Sequence, residues 1–522
     1  MALLREDAQH GAAGSADGDR RSAARSFSWR LGAVLVATGF VISRVILNLA
    51  GVQFDPRPLD DGFQLLELAQ LRGNLFESLT HLHSQPPLFN LAIGLGLRAP
   101  SSLQVPLFHV AYVGLGLALA LALYAVLRRL GASGGVAVAV TLVFSVSPSV
   151  FLFENWLHYD YPVTLLLVLA VLALQRYEDG HRLGDATLFL GVLAGLALTR
   201  SLFHLLWLAA WAVVLVLHRR RADWKKVVVV SAVPLVAVVA VYANIMAVAG
   251  TFGSSTSMGI SLAKITTFQL SRDERAALVA QGELSPLALV DPLSPVASYR
   301  GVIPPPAPTG VAVLDDEVKA VADGSTRVNY NNLVYAEASN RYMADVRRSL
   351  RLRPRAYLQG MATAYDIYFR PSSDFFNLVE NRQRVSAYVH LYNFVVYGVV
   401  QGGQANTAFP DAAVQYRQGP GRTAWLVVVG YALAILGGAW ALGRRGWRGW
   451  RGRRRRLGPP TGPPSLVLAF LWSTVVYVTV VADTLEVGEN DRFRLYTEPL
   501  VVALLVALVV GWRVRRRAEP AT

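Results

Sequence analysis

Long apolar runs that alternate with arginine-rich segments constrain this chain more than any other feature of its sequence. Most of the runs are long enough to cross roughly 30 Å of hydrocarbon, and arginines flank most of them. Of the 522 residues, 53% are hydrophobic and only 16% are charged, which is too apolar for a soluble globular protein. The sequence therefore predicts an α-helical multi-pass membrane protein.

The distribution of basic residues predicts the direction of each span, because cytoplasmic loops are enriched in Lys and Arg. The apolar run after residue 30 is too long for a cleaved signal peptide, so we expect a retained first span with the N-terminus in the cytoplasm. We expect ten spans in the plasma (inner) membrane and a cytoplasmic C-terminus, or twelve spans if 355–369 and 385–400 both cross. The ten are 31–50, 107–127, 136–153, 161–175, 183–199, 202–217, 227–248, 424–442, 465–482 and 495–512.

The spans divide the chain into five regions. A disordered cytoplasmic segment, 1–30, precedes a transmembrane module, 31–248, whose first external loop covers 51–106. A large external domain of mixed secondary structure, 249–423, separates this module from the C-terminal transmembrane helices, 424–512, and the cytoplasmic tail, 513–522. The chain has no cysteine, which excludes disulfides, thiolate metal sites and cysteine nucleophiles.

Polar and ionisable residues gather on the predicted external face, where they are costly at membrane depth unless they face a cavity or a partner. Arginines on this face can donate hydrogen bonds to a phosphate, and a carboxylate can accept a proton from a hydroxyl. Aromatic rings and amide groups can bind the faces and hydroxyls of a sugar. We expect Asp60 or Asp61 to be catalytic. The expected substrate-binding residues are Gln85, Glu154, Asn155, His158, Tyr159, Arg200, His204, Glu489, Arg492 and Arg494.

The order of these motifs is similar to that of a known superfamily. An external Asp60-Asp61 pair, the turn "HSQPPLFN", the short loop "ENWLHYDYP" and a late "ENDRFRLYTEPL" follow one another along the chain. This order resembles the GT-C superfamily of polytopic glycosyltransferases, in particular the branch with protein O-mannosyltransferases and the lipid A aminoarabinose transferase. The pair is Asp-Asp where many members have Asp-Glu, and this departure leaves the choice of base open.

The resemblance implies inverting transfer of a sugar from a polyprenyl-phosphate donor to a glycan, lipid or protein acceptor of the cell envelope. It implies that the first-loop acid is the base, with Asp60 favoured because the first acidic residue of the resembled motif usually has that role. It also implies that Glu489, Arg492 and Arg494 lie near the carrier phosphate. Membrane lipids are expected partners and nucleic acids are not. The acidic groups could bind a divalent cation, but no cofactor is expected, and His81 and His83 lack a third ligand.

Two other function classes are compatible with such a chain. A transporter or lipid flippase would also place charges within a helix bundle, although secondary transporters usually carry internal repeats and none is apparent here. A non-catalytic assembly protein would need no carboxylate beside a carrier site.

Overall fold

In the computed structural model, the described residues are 29–218, 224–321, 323–399, 423–452 and 465–518. Within these residues, seven helices are long and apolar enough to cross a membrane. The protein is therefore an α-helical membrane protein with several spans, as predicted. The seven are α1 (Trp29–Leu49), α6 (Ser101–Arg129), α9 (Asp160–Gly180), α12 (Trp224–Ala249), α20 (Trp425–Gly452), α21 (Ser465–Leu485) and α22 (Asn490–Ala518).

Three further predicted spans coincide with broken or shorter helices. Helices α7 (Gly134–Ser145) and α8 (Pro148–Glu154) make an eighth candidate if the bent pair is one span. Helices α10 (Leu183–Thr199) and α11 (Leu205–His218) are apolar but short. Each of the ten predicted spans thus corresponds to a helix or a helix pair, while the number that cross the membrane stays a prediction.

The first loop and the segment after α12 carry short elements. The loop holds α2 (Pro58–Asp61), α3 (Leu68–Gly73), α4 (Leu75–Thr80) and α5 (Leu88–Gly96). The later segment holds α13 (Met258–Ile265), α14 (Arg272–Ala280), α15 (Ala312–Asp315), α16 (Leu333–Leu352), α17 (Pro354–Tyr368), α18 (Val379–Arg384) and α19 (Ser386–Tyr397). Its 3₁₀ turns are Thr267–Gln269, Pro286–Leu289, Val296–Tyr299, Ser372–Asp374 and Phe376–Leu378. Strands β1 (Val318–Ala320) and β2 (Thr326–Val328) pair antiparallel, with Val318 opposite Val328.

Contacts between helix ends define the two ends of the bundle. At one end of the bundle, which we call the arginine end, Arg129 of α6 pairs with Asp179 of α9, and Glu178 accepts bonds from the first amides of α21. At the opposite end, the site end, Arg44 of α1 meets Glu154 of α8. Helices α6 and α9 therefore end where α21 begins.

A proline explains the break between α7 and α8. Pro148 is the first residue of α8, and Ser147 before it is extended, with φ −55° and ψ 135°. The residue before a proline is disfavoured in the helical region, and proline has no amide hydrogen to continue the ladder. The axis bends by 59° at this point.

The segment after α12 has a hydrophobic core of its own. Tyr335 and Tyr342 are buried in it, and Tyr368 is buried against the helix bundle. Asn331 ties this segment to the first loop, because its side-chain oxygen accepts bonds from the amides of His83 and Ser84. The two regions are thus in direct contact.

Candidate functional site

A cavity of about 480 Å³ at the site end brings together four distant parts of the sequence. The first loop contributes one wall, the turn between α8 and α9 a second, the residues around α18 a third, and the start of α22 the fourth. Two expected binding residues, Glu489 and Arg492, face a third, His158, across this space. The lining residues are Asp55, Arg57, Pro58, Gly62, Phe63, Gln64, Trp156, His158, Phe376, Asn377, Val379, Glu380, Glu489 and Arg492.

The imidazole of His158 connects the first loop to the membrane helices. Its Nε2 lies 2.6 Å from Oε1 of Gln64, and its Nδ1 lies 2.9 Å from Oδ2 of Asp160. The other oxygen of Asp160 accepts a hydrogen bond from the hydroxyl of Tyr496. Trp156 stacks on the same ring, with centroids 4.1 Å apart. A buried carboxylate therefore fixes the orientation of an imidazole that lines the cavity.

Protonation of His158 is coupled to the side chain of Gln64. With Oε1 facing Nε2 and a carboxylate facing Nδ1, the ring donates at both nitrogens, which only the imidazolium can do. Burial lowers the pKa of His158, while the charge of Asp160 acts in the opposite direction. The neutral ring favoured by burial needs the amide of Gln64 to rotate so that its nitrogen donates to Nε2. When His158 gains or loses this proton, the side-chain amide of Gln64 thus has to rotate by a half-turn, while the backbone can stay in place.

Arg492 is the cation that lines this cavity from α22. One of its terminal nitrogens lies 2.5 Å from Glu489, and another lies 3.7 Å from Asp160. The guanidinium also lies 5.2 Å from the ring centroid of Phe493. Burial raises the pKa of Glu489, but the charges of Arg492, Lys264, Arg200 and His158 together outweigh it, so the pKa lies below its ordinary value. Glu489 is therefore an anion at neutral pH, and its partner Arg492 has a surface facing the cavity.

A second cavity of about 480 Å³ lies beyond Tyr159 and Phe493. Arg200 lines it, donates a hydrogen bond to the buried hydroxyl of Tyr159, and lies 5.0 Å from the ring centroid of Phe493. The polar chain 251–257 after α12 forms another wall. Arg492 and Arg200 therefore contact the same two aromatic rings from two neighbouring cavities.

The predicted catalytic pair lies at the edge of the first cavity. Pro58 and Gly62, on either side of the pair, both line it, and Asp60 is partly exposed. The carboxylate of Asp60 makes no hydrogen bond or ion pair with any residue that the structure describes, and the side chain of Asp61 lies outside the described part. Lys319 of β1 holds this loop through bonds to the carbonyl oxygens of Gly62 and Leu65.

Four expected binding residues lie away from both cavities. Glu154 is buried and accepts bonds from Arg44 at 2.8 and 2.6 Å. Asn155 bonds to the carbonyl of Phe151, one turn earlier. The remaining two are Gln85, which is buried, and Arg494, which faces another side of α22.

The ring nitrogens of His204 and His83 make hydrogen bonds within the protein. His204 lines the second cavity, where its Nδ1 accepts a bond from the amide of Leu206. His83 is buried and contacts Thr256 and Asn331 through its two ring nitrogens, at 2.9 and 2.7 Å. Burial lowers the pKa of His83 to about 4. Among the described residues, no three His, Asp or Glu side chains are grouped as a metal would require.

Sequence reasoning missed several residues of the first cavity. Gln64 follows the acidic pair by three residues, and a polar residue so close to a predicted base was a usable signal. Asp55 and Arg57 pair at 2.6 Å, and Arg57 also pairs with Glu380 at 2.6 Å. No pattern in the sequence links residue 57 to residue 380. That contact depends on how the segment after α17 folds back over the first loop.

Comparisons with protein-family models, with curated proteins and with solved structures found no match for this chain.

Proposed function

We propose that this protein is a membrane glycosyltransferase of GT-C type that transfers a sugar from a polyprenyl-phosphate donor to a hydroxyl acceptor. One observation carries the proposal: Arg492, Glu489, His158 and the loop around Asp60 converge on one cavity at one end of a helix bundle. These residues come from three distant parts of the chain. The convergence supports the proposal because an arginine for phosphate, an oriented imidazole and an unpaired carboxylate are the groups that such a transfer needs.

The proposed reaction is a single inverting displacement. The acceptor oxygen attacks the anomeric carbon as the bond from that carbon to the phosphate oxygen breaks, which inverts the anomeric centre. The acceptor proton moves to the carboxylate of Asp60, and the phosphate leaves with the bonding electron pair. Arg492 stabilises the negative charge that develops on the phosphate, because a guanidinium fixed before the reaction needs no reorganisation.

The second cavity supplies room for the carrier. Its lining is more apolar than that of the first, and it lies at the level where α11 and α12 meet the external segment. A donor whose lipid chain occupies the second cavity would extend its phosphate past the rings of Tyr159 and Phe493. The phosphate would then lie near Arg200 and Arg492. The acceptor would then enter through the first cavity, whose walls carry Asp55, Arg57 and Glu380.

Reconstitution tests the proposal directly. The purified protein in liposomes is given polyprenyl-phosphate sugars and a crude cell-envelope acceptor fraction, and sugar transfer is measured by mass spectrometry of lipids and products. The proposal predicts consumption of one donor with release of polyprenyl phosphate. Movement of the intact lipid between leaflets without cleavage of the sugar would instead identify a flippase.

A deletion strain supplies the matching measurement in cells. Its lipid extract should accumulate a polyprenyl-phosphate sugar, and one envelope sugar should be missing. An unchanged lipid and envelope profile would contradict the proposal.

A further inference from the structure

Helix α19 has an apolar face that no described residue covers. Leu391, Phe394 and Val395 are 61%, 56% and 62% exposed, and their spacing of three and four residues places them on one side of the helix. Val389 and Tyr392, on the other side, are buried. Large apolar side chains that are exposed together mark a surface that meets a membrane or another protein.

The contacts of α19 with α7 give its direction. Tyr388 donates a hydrogen bond to the carbonyl oxygen of Val146 at 2.7 Å. One turn later, Tyr392 donates to the carbonyl oxygen of Val143 at 2.9 Å. Because the later tyrosine meets the earlier valine, α19 runs antiparallel to α7. Helix α7 ends at the site end, where the carbonyl oxygen of its last residue accepts a bond from α1. Helix α19 therefore runs from the site end toward the interior of the bilayer.

Both ends of α19 nevertheless stay near the site end. Just before the helix, Arg384 donates a hydrogen bond at 2.6 Å to the carbonyl oxygen of Gly51, two residues past the end of α1. Just after it, a Cβ on Gly398 would lie 2.9 Å from Cγ of Leu426, in the first turn of α20. Helix α20 begins at the site end, as α22 does, because a hydrogen bond joins the second turns of the two helices. A helix of 12 residues is also only about 18 Å long, too short for a core of roughly 30 Å.

The outward face of α19 continues the apolar surface of two candidate spans. Leu49 at the end of α1 and both Leu426 and Leu433 on α20 are exposed, and acyl chains cover such residues on helices that cross a bilayer. Since α19 begins beside the end of α1 and ends against α20, the same acyl chains reach its outward face. The exposed polar residues of α19, Ser386 and His390, come first in the helix, nearer to the surface. The exposed apolar residues follow them, as expected for a helix that enters the leaflet obliquely.

Helix α18, directly before α19, forms one wall of the first cavity. Val379 and Glu380 line that cavity. Asn381 bonds to the backbone of Gln53 in the first loop, because its side-chain oxygen accepts from the amide at 2.9 Å and its side-chain nitrogen donates to the carbonyl oxygen at 2.7 Å. The position of α19 therefore affects a wall that is bonded to the first loop.

We propose that α19 is embedded in the bilayer leaflet on the site end without crossing the membrane, and that its outward face lies against lipid acyl chains. Apolar helix faces bind at this depth because their burial removes apolar surface from water. Leu391, Phe394 and Val395 are the residues in contact with lipid. The helix thereby holds α18, and with it one wall of the first cavity, at a fixed depth relative to the membrane. The inference does not depend on the proposed function.

Spin-label accessibility tests this inference, and the chain has no cysteine that would need to be removed first. A nitroxide is attached to Phe394→Cys or Val395→Cys in the full-length protein in liposomes of phosphatidylcholine and phosphatidylglycerol. Collision rates are measured with oxygen, which concentrates in hydrocarbon, and with a water-soluble nickel chelate. Leu433→Cys on α20 is the control in lipid, and Gln383→Cys, an exposed position three residues before α19, is the control in water. All four side chains lie at the surface or near it, so their replacement leaves the core intact.

We expect the ratio of oxygen to nickel collisions at Phe394→Cys and Val395→Cys to match that at Leu433→Cys and to be several-fold higher than that at Gln383→Cys. A ratio equal to that at Gln383→Cys would overturn the inference, because the face would then lie in water. Low collision rates with both reagents would also overturn it, since a second copy or another segment of the chain would then cover the face. Sugar transfer is not measured here, so a failure of this inference is distinct from a failure of the proposed function.

Discussion

Nε2 of His158 lies 2.6 Å from Oε1 of Gln64, and this contact joins the turn before α9 to the loop that carries Asp60. Through Asp160 and Tyr496, the same ring is anchored to two membrane helices. The loop is thereby held at a fixed position relative to Arg492.

The first prediction concerns His158 as a positioning residue. His158→Asn and Gln64→Ala should each lower the turnover number for sugar transfer, because each removes the same link between the loop and α9. The double variant should be about as impaired as either single variant, since coupled residues are not additive. The check is a double-mutant cycle on turnover in liposomes. Losses that multiply would show that the two side chains act independently.

A second prediction concerns Arg492. Arg492→Gln should reduce turnover by about 10²-fold to 10³-fold, the usual loss when one donor to a developing oxyanion is removed. Arg492→Lys should be intermediate, because an ammonium keeps the charge but not the planar fork. Arg492→Gln leaves Glu489 buried beside no cation, so the double variant with Glu489→Gln serves as the folding control. Full activity of Arg492→Gln would remove this residue from the mechanism.

The third prediction concerns a glycine under the pair of Arg44 and Glu154. A Cβ on Gly116 would overlap with the carboxylate of Glu154 and the hydroxyl of Tyr161, whereas a Cβ on Gly114 would meet nothing. Gly116→Ala should therefore lower the free energy of unfolding by about 1 to 3 kcal/mol, the usual cost of overpacking. Gly114→Ala should not lower it. Thermal unfolding in detergent distinguishes the two, and equal stabilities would show that the pair can move aside.

A fourth prediction concerns acid stability. The pKa of His83 is about 4 in the folded protein, below the ordinary 6.5 of an unfolded chain. The unfolded state therefore binds the proton more readily between these values, so this contribution to stability is complete above pH 6.5 and falls as pH is lowered to 4. At pH 5.5 the loss is about 1.4 kcal/mol. Melting curves at pH 7.5 and 5.5 should show a smaller difference for His83→Asn than for the wild type.

Much of the helix framework follows from the sequence, because apolar length and flanking arginines are local properties. The position of Arg494 could not be found in the same way. We predicted that the last span begins at residue 495 and treated 489–494 as a loop, but α22 already begins at Asn490. Because Arg492 and Arg494 both lie in α22, the helical repeat directs them to opposite sides of this helix.

Glu154 illustrates a different limit of the sequence. Its partner Arg44 is 110 residues away, and nothing in either local pattern indicates the pairing. An acidic residue at the end of an apolar run is equally typical of a binding site and of an internal ion pair. Only the packing of α1 against α8 distinguishes the two, and packing between distant helices is not encoded in a local pattern.

The most direct measurement compares the turnover number for sugar transfer of Asp60→Asn with that of Glu77→Gln. Glu77 is an exposed acid of the same loop that does not line either cavity, so its replacement is a matched control. Asparagine keeps the size of aspartate but cannot accept the proton, so Asp60→Asn should lose about 10²-fold to 10⁴-fold in rate with unchanged thermal stability, and Glu77→Gln should transfer normally. Near-normal transfer by Asp60→Asn would contradict the account and move the base to Asp61 or Glu489.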